Sequence, residues 1–144
     1  MRRSTVTLIG VIILAASALV AKPHSNDTKS GSTSNAAHLK TISGLVRDIA
    51  CPIQHNEATS RHFGKSCLDA CVKNGAELGI LTDDGSIYVP ISANMPDKDQ
   101  RAKLLPYVGK YVNVTGELFE HRGTHAIAIK NISEDKSVHV DVTN

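Results

Sequence analysis

Apolar residues fall at alternate positions over several stretches of the chain, and alternation of this kind predicts half-buried strands. In Leu39 to Ile49 (LKTISGLVRDI), Leu39, Thr41, Ser43, Leu45, Arg47 and Ile49 share one parity, and Ile42 and Val46 the other. This is a first strand, with Gly44 expected to mark a bulge or sharp bend. Pro52 disfavours helical backbone at the residue before it, so Cys51 is expected to be extended and the strand to close there. Leu78 to Thr82 and Ser86 to Pro90 are β-rich runs on either side of Asp83-Asp84-Gly85, a hairpin signal. Lys110 to Phe119 alternates with Val112 and Val114 on one parity, and Gly116 suggests a bend. Glu120 to Gly123 makes a turn into Thr124 to Ile132. Ser133 to Asn144 is polar and expected to fray, although Val138, Val140 and Val142 have the spacing of an edge strand.

Two segments read as short helices. Ser66 and Asp69 match a capping box, and Asn74-Gly75 supplies a left-handed stop. Asn94 to Asp97 looks like a second helix start, with Asp97 to Leu105 amphipathic and Pro106 ending it. The order is strand, insertion with helix, two strands, helix, two strands. It predicts a mainly β domain, an OB-fold-like five-stranded barrel with two short helices. No internal repeat is evident.

The residues before Leu39 have a different character. Arg2 and Arg3 precede an apolar run from Leu8 to Val20, with small residues at Ala16, Ala18 and Ala21. This is the pattern of a secretory signal peptide over residues 1–21, shorter than the roughly 20 apolar residues that span a bilayer. Lys22 to Asn35 lacks apolar periodicity, so residues 22–38 read as a flexible linker. The domain is expected over 39–133, with a Cys/His insertion at 51–75 and a C-terminal tail at 134–144. The mature chain is expected to be secreted or periplasmic, with no membrane contact after cleavage.

Charge and composition narrow the function. The chain has 16 Lys+Arg and 14 Asp+Glu, and removing Arg2 and Arg3 leaves 14 against 14. Basic residues are scattered among acids, so no nucleic-acid partner is expected. With no Trp, two Phe and three Tyr, an aromatic stacking platform is poorly supplied. The core must come from Val, Ile, Leu and Ala, and a small domain of this kind gains from a cross-link or a structural metal.

Candidate chemistry concentrates in Cys51 to Cys71 (CPIQHNEATSRHFGKSCLDAC), which holds all three cysteines and two of the seven histidines. In an exported chain the default is a disulfide, Cys51 to Cys67 or Cys71, leaving one thiol over. Cys67 and Cys71, four apart on one helical face, are poorly directed towards each other. Alternatively Cys51, His62, Cys67 and Cys71 form a Cys3His set for zinc or copper, with His55 as a reserve ligand or supporting group. The spacing lacks the short C-x2-C knuckle of zinc fingers, and no C-x-x-C-H is present for covalent haem. A thiol redox or hydrolytic enzyme would use Cys67 as nucleophile, near a helix start, with His62 or His55 as base. No orienting acid or oxyanion hole accompanies them, so enzymatic activity is the least supported alternative. His121 and His125 flank the last hairpin turn and could chelate across strands, though such residues are more often solvated. Asp83-Asp84 reads as turn chemistry. The expected function is an exported non-enzymatic binding module holding a soft metal, its partner a protein or small ligand. The alternative is a disulfide-stapled OB-type interaction domain for a protein, peptide or saccharide.

Residues from about 40 to 132 resemble a group of small exported bacterial proteins with an OB-like barrel and a Cys/His-containing insertion after the first strand. The matching residues are Cys51, His55, His62, Cys67 and Cys71, then Gly75, Gly79 and Leu81, with YVNVTGEL as the fourth strand. The resemblance implies the fold and no particular activity.

Overall fold

The computed structural model describes residues 39–55 and 57–144. The expected signal peptide and linker lie outside the described residues. Among the described residues no helix is long and apolar enough to cross a membrane.

The alternating stretches become the strands they predict: β1 (Lys40–Asp48), β3 (Leu78–Thr82), β4 (Ile87–Pro90), β5 (Tyr111–His121) and β6 (Thr124–Glu134). These five join in a ring of order β1-β3-β4-β6-β5, with β5 returning to β1. All pairs are antiparallel except β4 with β6, where Tyr88 stands opposite His125 and Pro90 opposite Ile127. β1 serves two neighbours. Its first half, Lys40 to Leu45, pairs with β5, and its second half, Gly44 to Asp48, pairs with β3.

Gly44 lies where the two pairings overlap, and the register runs through it without a bulge. Glycine is needed there for closeness, because a Cβ would sit 2.4 Å from the Leu81 carbonyl oxygen. Gly116 does carry an irregularity, since the β5–β6 register shifts between Thr115 and Gly116. The bend expected there is a bulge.

Parity decides what each strand face buries. Val46, Val112, Val114, Ile80, Ile127 and Ile129 point into the ring and form the main core, closed by Leu104. Leu45, of opposite parity on β1, packs instead in a second cluster with Phe63 and Leu68. Those two belong to the insertion, which therefore lies over the outward face of β1.

The insertion between β1 and β3 holds α1 (Ala50–Gln54), β2 (His62–Gly64) and α2 (Lys65–Lys73). A third helix, α3 (Arg101–Leu104), runs into a 3-10 turn at Leu105–Tyr107. Among the described residues there are thus three short helices where the sequence predicts two. The helix expected from Asp97 begins at Arg101, because the Asp97 and Asp99 carboxylates engage nearby amides instead, at Ser92 (2.7 Å) and Arg101 (2.7 Å). The C-terminal valine pattern yields β7 (Asp141–Thr143), which pairs in parallel with β2 rather than extending the ring. The tail thus packs on the insertion.

Candidate functional site

Helix α1 departs from the expectation that Pro52 would keep Cys51 extended. Ala50 opens the helix, so Pro52 falls in its first turn, where amides lack helical partners and a missing N–H costs little. The Cys51 N–H in that turn is met by Asp48 Oδ1 at 2.8 Å. The His55 N–H then donates to the Cys51 carbonyl at 2.9 Å, which puts Cys51 and His55 one turn apart.

Helix α2 also starts differently from the sequence pattern. Its N-cap is Gly64, without a side-chain cap, so the Ser66–Asp69 capping box does not form. Asp69 pairs one turn back with Lys65. The C-terminus behaves as the sequence predicts. Gly75 has φ +81°, its N–H donates to the Val72 carbonyl (3.1 Å), and the Ala76 N–H donates to the Cys71 carbonyl (2.9 Å). This is a Schellman stop. Arg101 also donates to the carbonyls of Val72 and Ala76, tying α2 to α3.

These two helices bring Cys51 Sγ and Cys67 Sγ to 3.6 Å. Cys67 is in the first turn of α2 and exposed; Cys51 is partly buried. Burial, followed by the contact with Cys67 and the charge of Asp48, pushes the Cys51 thiol up, with Arg47 opposing. Beside Cys51 a shallow cavity of about 190 Å³ is walled by Arg47, His55, Glu57, His62 and Phe63. Each histidine has a carboxylate behind it. His55 Nδ1 is 3.6 Å from Glu57 Oε1, and His62 Nδ1 is 3.6 Å from Asp141 Oδ2 on β7.

Of the five residues singled out from sequence, Cys51 and Cys67 meet, and His55 and His62 share a cavity with Cys51. Cys71 lies one turn further along α2, partly buried, as a free thiol. Among the described residues no group of three or more Cys, His, Asp and Glu side chains is gathered closely enough to hold a metal ion as they stand. The fixed element is the sulfur pair. His121 and His125 are not opposite each other, since His121 pairs with Thr124 and Glu120 with His125. The His125 ring packs instead against Tyr88, with centroids 5.2 Å apart.

Sequence reasoning missed two features of the site. Arg47, on the outward face of β1, is 5% exposed because the insertion covers it. Asp83, read as turn chemistry, reaches across to Arg61 in the insertion, and only Asp84 serves the turn, accepting from the Ser86 amide at 3.0 Å. The one available signal for Arg47 was its shared parity with Leu45. No family model, curated protein or solved structure matches the chain.

Proposed function

We propose that the chain is an exported, non-enzymatic OB-type binding module whose insertion holds a soft metal ion, zinc or copper. The Cys51–Cys67 spacing carries this proposal. A tetrahedral centre with Zn–S bonds of about 2.3 Å separates two sulfurs by about 3.8 Å, close to the 3.6 Å between these thiols. His62 and Cys71 would complete the Cys3His set, with His55 as a reserve ligand or supporting group. In both histidines Nδ1 lies 3.6 Å from a carboxylate oxygen, so a small closing movement would make the hydrogen bond that leaves Nε2 free to ligate. The OB assignment is supported by the Greek-key ring order and by the helical segment between the third and fourth ring strands. Export is supported by the signal-like residues 1–21.

Elemental analysis and thiol counting on anaerobically purified mature chain test the metal proposal. The expected result is about one equivalent of zinc or copper, lost in Cys51→Ser, Cys67→Ser and Cys71→Ala and weakened in His62→Ala. A wild-type chain that stays metal-free after exposure to Zn(II) and Cu(I) overturns it.

A second reading, the interaction domain stapled by a Cys51–Cys67 disulfide, is favoured by one further observation. A cavity of about 340 Å³ lies between the insertion (Ile49, Ile53), β4 (Ile87, Val89) and the β5–β6 turn (Thr124, His125). In an OB barrel the loops at these two places flank the ligand face. Non-reducing mass spectrometry of the native protein separates the readings: a mass short by two hydrogens with one free thiol favours the staple, and three free thiols favour the metal.

A further inference from the structure

Arg47 occupies a position where a strand would normally show its charge to water. It has the parity of Leu45, which faces out of the ring and is covered by Phe63 and Leu68. The insertion covers Arg47 in the same way and leaves it 5% exposed. Among the described residues its one ion-pair partner is Asp48, fully buried, with Nη2 to Oδ2 at 3.8 Å. That distance is too long for a hydrogen bond, and both Arg47 Nε and Asp48 Oδ2 lack a hydrogen-bond partner among the described residues. Asp48 spends its other oxygen on the Cys51 amide. A guanidinium has five donors, and burying them unmet is costly, so a buried arginine is normally forked onto a carboxylate or its equivalent.

The arginine is not sealed in. It forms one wall of the 190 Å³ cavity, with Cys51, His55, Glu57 and His62 around the rest and Phe63 giving an apolar side. We propose that this cavity binds a small carboxylate anion, received by the accessible Nη end of the Arg47 guanidinium. The chemistry of the walls selects the class. Asp48 already balances one charge and Glu57 stands on the rim, so a singly charged ligand is favoured over a phosphate dianion. The volume lies below the roughly 300–1,000 Å³ of pockets for drug-sized ligands, which limits the occupant to a few heavy atoms. Phe63 accommodates a short apolar tail. The site needs no metal, so it stands or falls separately from the metal proposal.

The test is an NMR titration of reduced, metal-stripped full-length mature protein with sodium acetate, holding ionic strength constant with chloride. Saturable shifts of the Arg47 Nε–H resonance and of the Cys51 and His62 amides are expected in the millimolar range, with sulfate giving weaker shifts at the same resonances. Arg47→Gln is expected to weaken acetate binding at least tenfold and Arg47→Lys, which keeps charge without the fork, by less. If Arg47→Gln fails to fold, the wild-type shift map and Arg47→Lys decide. The proposal is overturned by shifts that do not saturate, by shifts that chloride alone reproduces or that lie away from the cavity, or by undiminished binding in a folded Arg47→Gln protein. Acetate binding in a chain that takes up no metal would sink the metal proposal and leave this one standing.

Discussion

Arg61 and Asp83 meet through two hydrogen bonds, Nε to Oδ1 at 3.0 Å and Nη2 to Oδ2 at 2.5 Å, while the guanidinium lies 4.6 Å from the Tyr111 ring centroid. Ser60 donates to the same carboxylate. A residue of the insertion is thereby clamped to the turn between β3 and β4, with a β5 aromatic beneath it. The hydrogen bond from Arg61, then that from Ser60, holds the Asp83 carboxyl well below the usual carboxylate range. A depressed acid stabilises the fold above its unfolded value and loses that contribution as pH falls towards the folded one. Asp83→Asn is therefore expected to lower the urea midpoint at pH 7, with the gap to wild type closing as pH drops below about 4. Both side chains are about half exposed, so solvent screening keeps the effect smaller than loss of a core leucine. A gap that stays constant from pH 7 to pH 3 would refute the assignment.

Close approach, rather than backbone freedom, fixes two glycines. A Cβ on Gly44 would meet the Leu81 carbonyl oxygen at 2.4 Å, and one on Gly116 the Ala128 carbonyl oxygen at 2.4 Å. Both obstacles are backbone and cannot swing away. Gly44→Ala and Gly116→Ala are each expected to destabilise by about 1–3 kcal/mol, the usual cost of overpacking. Denaturant unfolding checks this, and a change below about 0.5 kcal/mol, typical of an innocuous surface site, would contradict it.

The ring was legible because its strands alternate cleanly and local turns fix their register: Asp84-Gly85 and the Glu120–Gly123 segment fall where hairpins form. What the sequence misplaced depends on competition between neighbours. Pro52 could forbid helix at Cys51 or sit harmlessly in a first turn, and the Asp48 carboxylate on the Cys51 amide favours the second. Ser66–Asp69 had the capping pattern, but Lys65 takes Asp69. Strand β2 has three residues and finds its partner 79 positions later in β7, beyond any local signal. The same holds inside the candidate site. Five reactive residues were recognisable by type, whereas the Cys51–Cys67 meeting and the burial of Arg47 follow from how α1 and α2 fold back over β1.

The β5–β6 turn has room for improvement. Its central residues Arg122 and Gly123 have φ +49° and +83°, the two positive values of a type I′ hairpin. Glycine bears this freely, but arginine is held in a left-handed conformation that costs a residue carrying a Cβ roughly 1 kcal/mol. Asn-Gly is the preferred pair for this turn. Arg122→Asn is expected to stabilise by about 0.5 kcal/mol, since asparagine recovers part of that strain. Thermal unfolding checks it, and a lower midpoint would contradict the turn assignment.

The thiols offer the sharpest test of the insertion's geometry. Cys51 and Cys67 stand 16 residues apart in sequence with their sulfurs at 3.6 Å, and Cys71 is one helical turn beyond Cys67. Oxidation of metal-stripped protein should therefore join Cys51 to Cys67 and leave Cys71 free to alkylate, a pattern that non-reducing peptide mapping reads directly. Because the bridge would close a loop of this length, the oxidised protein should exceed the reduced form by up to about 3 kcal/mol, less any strain in drawing the sulfurs together. Cys71→Ala should leave both the bridge and its stabilisation intact, whereas Cys67→Ala should abolish both. A bridge that forms between Cys67 and Cys71, or between Cys51 and Cys71 in the wild-type chain, would mean that α1 and α2 do not meet as described, and the sulfur pair on which the metal proposal stands would fall with it.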